Sequence, residues 1–317
     1  NFTSATDTYN TAVGYGAGSA VTTGIQNTLI GGTAGDALTD SDYNVAVGFG
    51  ALTSDTLGAR NVAIGQEALA SQNFTSATNS YNTAVGMNAG RLITTGVRNT
   101  LIGGLAGDAL TDADYNVALG YDSLAVDTLG SRAVAIGYGA LSTQNFTSAT
   151  DNYNVAVGFA AGNAVTTGTQ NTFVGGLAGD ANTTADDNTA VGYLSLSANT
   201  TGGNNVAVGK SALLTNTTAN DNVAIGLQAL KLNTTGASNV AIGRDALEAN
   251  TTASSNVAIG KDALTANTTG ATNTAVGFQA LATNTTAANN TAVGKDALLY
   301  NTTGASNVAV GSFALDA

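Results

Sequence analysis

A branched residue, a small one, a branched apolar one and then glycine: this short alternation recurs from end to end of the chain, introduced almost every time by asparagine. It reads Asn10-Thr11-Ala12-Val13-Gly14 at its first appearance and Asn307-Val308-Ala309-Val310-Gly311 at its last. The motif glycines stand at 14, 31, 48, 65, 86, 103, 120, 137, 158, 175, 192, 209, 226, 243, 260, 277, 294 and 311. They are 17 residues apart except for two steps of 21, from 65 to 86 and from 137 to 158. A fixed period of this size marks a solenoid, in which each repeat stacks only on its neighbours. An alternation of period two argues for strand rather than helix, and no 3.6-residue stripe accompanies it.

One coil, Asn205 to Asp221, predicts the local structure. Val206 and Val208 should share the inward face of a short strand, with Ala207 on the other face. Gly209 allows a tight corner. Leu213 should then reach back into the core from a second short strand, and Asn216-Thr217-Thr218-Ala219 supplies polar turn chemistry. Two strands and two corners per coil predict an all-β fold, a parallel β-solenoid (β-roll) of about 18 coils with a 17-residue period and two 21-residue coils. At ~4.8 Å per stacked strand such a rod would be on the order of 85 Å long.

The chain reads as a single β-solenoid repeat domain over 1–317. A 72-residue super-repeat occupies 1–180, and plain 17-residue coils occupy 181–317. The four extra residues of each long step fall in the phrase Asn-Phe-Thr-Ser-Ala-Thr, at 73–78 and 145–150 and also at 1–6, and predict a loop bulging from one edge. In the second coil of each super-repeat, Leu29, Leu101 and Phe173 replace the strand alanine, while Gly32, Gly104 and Gly176 follow the motif glycine. Such an exchange predicts one shared packing space. The third residue after every motif glycine is Ala or Ser, which predicts close approach of the facing sheet or of a partner chain.

Composition narrows the chemistry. There is no Pro, Cys or His, only 9% of residues are charged, and the net charge is −12. The absence of Pro suits an uninterrupted ladder, and the acidic balance argues against nucleic acid and anionic membrane as partners. No apolar run is long enough to insert into a membrane. Without His or Cys only carboxylates could act as acid–base groups, and no supported pair is visible, so the chain is expected not to be an enzyme and to carry no cofactor.

Four sets of residues are candidates for special roles. Asn205, Asn222, Asn239, Asn256, Asn273, Asn290 and Asn307, with Gly209, Gly226, Gly243, Gly260, Gly277 and Gly294, are expected to form a structural ladder. Asp36, Asp40 and Asp42, and again Asp108, Asp112 and Asp114, have a spacing that could hold Ca²⁺, but no glycine-and-aspartate nonapeptide of the calcium-binding β-roll type accompanies them and a solvated loop is the favoured reading. The Asn-Thr-Thr runs are formal glycosylation sequons, and their threonines could present a regular face to ice. Tyr15, Phe49, Phe74, Tyr121, Tyr138, Phe146 and Phe159 could stack on sugars, or could instead be packed against adjacent coils.

The phrase Asn-Val-Ala-Ile-Gly-x-x-Ala-Leu at 222–230, 239–247 and 256–264 resembles the head repeats of trimeric autotransporter adhesins. The longer phrase at 273–287 and 290–304 is similar to repeats of phage and bacterial tail-fibre-like proteins. These resemblances imply a left-handed parallel β-roll that assembles as a homotrimer. Together with the repeat architecture they lead to the expectation of a structural and attachment segment of a fibre, extracellular, at a cell surface or on a virion, that meets host or surface glycans. A self-polymerising filament, an ice-binding solenoid and a fibre-borne polysaccharide depolymerase are the alternatives.

Overall fold

A computed structural model describes residues 7–316. The chain is an all-β parallel solenoid of about 18 turns spaced about 17 residues apart, with no helix among the described residues. It divides into two compact units, residues 1–156 and 157–317. The first copy of the Asn-Phe-Thr-Ser-Ala-Thr phrase, at 1–6, lies outside the described residues.

In the first unit every motif alternation is a three-residue strand, from Thr11–Val13 and Thr28–Ile30 to Val117–Leu119 and Val134–Ile136. Each pairs in parallel with the next at the same motif position, as in Thr28↔Val45. The register survives the 21-residue step, where Val62 pairs with Thr83. The additional residues are accommodated beside two extra two-strand ribbons, Gly58–Ala59 with Thr78–Asn79 and Gly130–Ser131 with Thr150–Asp151. The second unit repeats the plain coil, from Thr172–Val174 to Val308–Val310, with Val206↔Val223 and Val223↔Val240 in register.

The facing of these strands is opposite to the expected one. Ala207 is fully buried, whereas Val206 and Val208 are only half-buried, and Ala46, Ala224 and Ala258 sit between partly exposed neighbours in the same way. The coil is too thin for branched side chains on its inner wall, because that space is taken from the opposite side by Ala212 and Leu213, both fully buried. Valine and isoleucine stand outside, where branched side chains stack on their own kind along a pleated surface.

The expected second strand is also replaced. Leu213 lies at φ +50° and Ser211 at φ +57°, so the segment after the glycine is a run of turns rather than an extended wall. The left-handed residues alternate the direction of the peptide groups. Ser211 N–H therefore donates to Tyr193 O in the preceding coil (3.0 Å), and Leu213 N–H to Ala229 O in the following one (3.0 Å). Left-handed non-glycine residues cost ~1–3 kcal/mol each, and the coil-to-coil bonds offset that cost.

At the motif glycine the constraint comes from stacking. Gly226 has φ +139°, and a Cβ there would lie 2.5 Å from Gly243 O in the next coil. Side-chain exchange inside the core follows a different pairing from the one the sequence suggests. Leu29 does not share space with Gly32. It fills the interior left by Gly18 and Gly35, where an added Cβ would come within 2.7 and 2.8 Å of its methyl groups. Leu101 stands in the same relation to Gly90 and Gly107, and Phe173 to Gly179. The other coils with alanine at the strand centre carry leucine at that turn position, for example Leu69 and Leu213, whereas the coils of Ala12, Ala84 and Ala156, which precede Leu29, Leu101 and Phe173, carry glycine there. Gly32 and Gly104 lie on the outside, under Phe49 and Tyr121.

Candidate functional site

The ladder asparagines are interior. Asn205 Oδ1 accepts the backbone N–H of Asn222 (3.0 Å), and its Nδ2 donates to Ala219 O (2.9 Å). The Oδ1-to-backbone N–H bond continues through Asn239, Asn256, Asn273, Asn290 and Asn307, while the Nδ2 groups of Asn256 and Asn290 find no partner among the described residues. Where both bonds form, the side chain supplies both an acceptor and a donor to a corner whose backbone groups water cannot reach.

Ala133 is the one motif position without the amide, and a second residue compensates for it. Where Asn82 N–H finds Asn61 Oδ1 (3.1 Å), the matching Asn154 N–H finds Asn152 Oδ1 (2.9 Å). Asn152 occupies the place held by Ser80 one super-repeat earlier.

A second ladder escaped sequence reasoning. Asn182, Asn199, Asn216, Asn233, Asn250, Asn267 and Asn284 of the Asn-Thr-Thr runs are fully buried, and from Asn199 onward each Nδ2 donates to the Oδ1 one coil back, as Asn216 does to Asn199 at 2.9 Å. Their sequons therefore offer no accessible amide in the folded chain. The following threonines divide their roles. Thr217 Oγ1 donates to Thr234 O (3.2 Å), while Thr218 is exposed.

The four-residue insertion is tied down by a buried carboxylate rather than left as a free loop. Asp55 Oδ1 accepts from Gly58 N (3.0 Å) and Phe74 N (3.1 Å), and Oδ2 accepts from Gln72 Nε2 (2.6 Å). Gln72 Oε1 in turn accepts from Asn82 Nδ2 (2.8 Å). Asp127 and Gln144 repeat the arrangement around Phe146. Phe74 and Phe146 are only 6% exposed. This corrects their assignment as surface-binding residues, since an aromatic ring beside a satisfied buried carboxylate anchors the loop and is closed to a ligand.

The acidic candidates for Ca²⁺ are spread over separate coil-to-coil bonds. Asp36, Asp40 and Asp112 accept from Thr53, Thr23 and Thr95, and Asp42 and Asp114 accept from the N–H of Ile25 and Val97. Asp108 pairs with Arg91 at 2.9 Å, and its hydrogen bond raises the guanidinium above its ordinary pKa. Among the described residues no three acidic groups converge on a cation position. The small residues after the glycines, such as Ala34, Ala51 and Ser123, are fully buried within the one chain. That removes them as a partner contact; they serve the inner wall.

Two columns remain on the outside. Residues directly after the motif glycine include Tyr15 (89% exposed), Phe49, Tyr121 and Tyr138 in the first unit, and Phe159 and Tyr193 in the second. Tyr121 and Tyr138 stack with centroids 5.8 Å apart. The other column occupies the place just before the ladder position from 44 to 154, and sequence reasoning missed it: Tyr43, Arg60, Tyr81, Arg98, Tyr115, Arg132 and Tyr153. It could have been found by reading every 17th residue. Arg60 lies 4.5 Å from the Tyr43 ring centroid and 5.9 Å from that of Tyr81, and Arg132 lies between Tyr115 (5.0 Å) and Tyr153 (5.9 Å). Arg98 sits 5.3 Å over Tyr115 and donates to its hydroxyl. Alternation keeps like charges two coils apart, at ~10 Å rather than ~5 Å, and adds cation–π attraction at every step of the column except that from Tyr81 to Arg98.

Compared with known proteins, the chain matches no protein-family model, and no curated protein matches it significantly.

Proposed function

We propose that this chain is a structural attachment segment of an extracellular or virion fibre, a stiff repeat support whose exposed columns meet surface glycans. The single observation that carries this is the aromatic column after the motif glycines, in which Tyr15, Phe49, Tyr121 and Tyr138 are each at least half exposed. A repeat that stacks one coil per step returns rings to one line, here with Gly32, Gln66, Met87 and Gly104 between them. Many weak sugar contacts then add as avidity rather than as one tight site. The likeness of the Asn-Val-Ala-Ile-Gly repeats to autotransporter heads and tail-fibre-like proteins supports the same role.

Assembly with further copies belongs to the proposal. The half-exposed outer strand residues, such as Ile64, Ile225 and Ile259, are the surface suited to it. Light scattering gives the mass, with a trimer expected.

The functional test is binding of the purified chain to an immobilised glycan panel and to whole cells. The wild-type chain should bind, and a Tyr15→Ala/Phe49→Ala/Tyr121→Ala/Tyr138→Ala variant with an unchanged melting profile should lose most of the signal. Equal binding by this variant, or no binding by either chain, would overturn the attachment role of these residues.

A further inference from the structure

The charges of the first unit are distributed unevenly. The chain is acidic overall, at −12, yet three of the four cationic side chains in residues 1–156 stand on the single tyrosine–arginine column. The fourth, Arg91, is taken up by Asp108. Arg132 also has a carboxylate partner, Asp151 at 2.9 Å, which raises its pKa. Arg60 and Arg98 do not. At the place of Asp151 one super-repeat earlier stands the neutral Asn79, whose Oδ1 accepts from Arg60 Nε at 3.2 Å. Arg98 donates to the Tyr115 hydroxyl. Among the described residues no ion pair compensates either guanidinium. Both are exposed; Arg60 is held between the rings of Tyr43 and Tyr81, and Arg98 over the ring of Tyr115.

We infer that this column is a binding track for a linear anionic polysaccharide, with Arg60 and Arg98 each taking a carboxylate or sulfate group and the tyrosine hydroxyls bonding the sugar between them. The inference rests on the glycan-attachment role for the class of partner, but not for the location, which is the other column.

Spacing favours a polysaccharide over the other common linear polyanion. Successive arginines are two coils apart, ~10 Å, which suits a polymer charged once every one or two sugar units. A nucleic acid strand carries a phosphate about every 3.4 Å. Most of its phosphates would face no arginine and would be repelled by the acidic remainder of the chain. Planar, forked guanidiniums also suit carboxylate and sulfate better than the point charge of lysine. Asp42 and Asp114 lie beside the column, but each is engaged by a backbone N–H, of Ile25 and Val97 respectively. They set a limit on how dense a polyanion the track accepts.

The test measures binding of the whole chain to polygalacturonate, dextran sulfate, neutral dextran and single-stranded DNA, at low and physiological salt. The proteins are wild type, Arg60→Ala/Arg98→Ala, Arg98→Lys, Arg244→Ala and Tyr15→Ala/Tyr121→Ala. Expected is binding to polygalacturonate or dextran sulfate, weakened about tenfold or more in the double arginine variant, intermediate in Arg98→Lys and unchanged in Arg244→Ala, which removes a cation outside the column. Preference between the two polymers tells carboxylate from sulfate. Melting curves separate loss of binding from loss of fold, and Arg98→Lys retains the charge if the alanine variant fails to fold. The inference falls if the arginine variants bind as the wild type does, if DNA binds as tightly, or if no anionic polymer is bound. Binding to neutral glycans that is lost only in the Tyr15/Tyr121 variant would overturn the track while leaving the attachment role standing.

Discussion

Replacing Asn61 with alanine removes one buried acceptor that serves two donors. Asn61 Oδ1 accepts from Asn82 N (3.1 Å) and from Ser80 Oγ (2.8 Å). The Ser80 hydroxyl retains Ala59 O at 3.2 Å, so the substitution strands one group, the Asn82 N–H. A buried donor without a partner costs ~1–3 kcal/mol. Because each coil depends mainly on its neighbours, the loss should be local, and a single global unfolding energy is the wrong measure. Amide hydrogen exchange resolves it. The Asn82 amide should lose about tenfold to hundredfold in protection, at ~1.4 kcal/mol per factor of ten, while amides several coils away keep theirs. The protein contains its own rescue, since one super-repeat later alanine stands at 133 and asparagine at 152, and Asn152 Oδ1 takes over the same N–H at 2.9 Å. Asn61→Ala combined with Ser80→Asn copies that pair. The double variant should recover most of the protection, with a coupling of ~1 kcal/mol or more between the two sites. If the single variant protects Asn82 as the wild type does, or the double variant exchanges as fast as the single, the accounting of ladder hydrogen bonds is wrong.

Three further perturbations probe the rest of the design. Asp55→Ala strips the acceptor from Phe74 N, Gly58 N and Gln72 Nε2, so chymotrypsin should cut after Phe74 in the variant and spare it in the wild type; equal resistance would argue against the carboxylate as the anchor. Leu101→Ala should cost ~2–5 kcal/mol by opening a cavity beside Gly90 and Gly107. Adding Gly107→Leu should regain part of the lost melting temperature, whereas Gly107→Leu alone should destabilise, and tolerance of that single change would refute the shared space. Gly226→Ala places a Cβ 2.5 Å from Gly243 O at φ +139°. Backbone strain of ~1–3 kcal/mol adds to the clash, and an unchanged circular-dichroism melt would show that the stack can spread there.

Much of this was legible from the glycine spacing. Period 17, strand at the alternation, parallel register and a ladder asparagine all follow from a chain that must repeat itself coil upon coil. Which side of the strand faces inward was not legible. Val206-Ala207-Val208 has the same alternation whichever face is buried, and hydrophobicity pointed the wrong way because the deciding quantity is the gap to the opposite wall, filled by Leu213. The aromatic candidates separated for a similar reason. Tyr15 and Phe74 are alike as residues, but one follows a corner glycine on the outside, while the other is drawn inward by Asp55, 19 residues away in the sequence.

By itself the amino-acid sequence determined the repeat, its register and the columns, because identical residues at a constant interval can satisfy their backbone only by stacking on one another. The tertiary structure alone decided what each column faces. It turned the Asn-Thr-Thr asparagines into a second interior ladder, paired Leu29 with Gly18 and Gly35, and brought Arg60 between two tyrosines without an ion pair among the described residues. These outcomes depend on distances across a thin coil and between coils, where a difference of a methyl group or of one ångström decides which side chain fits.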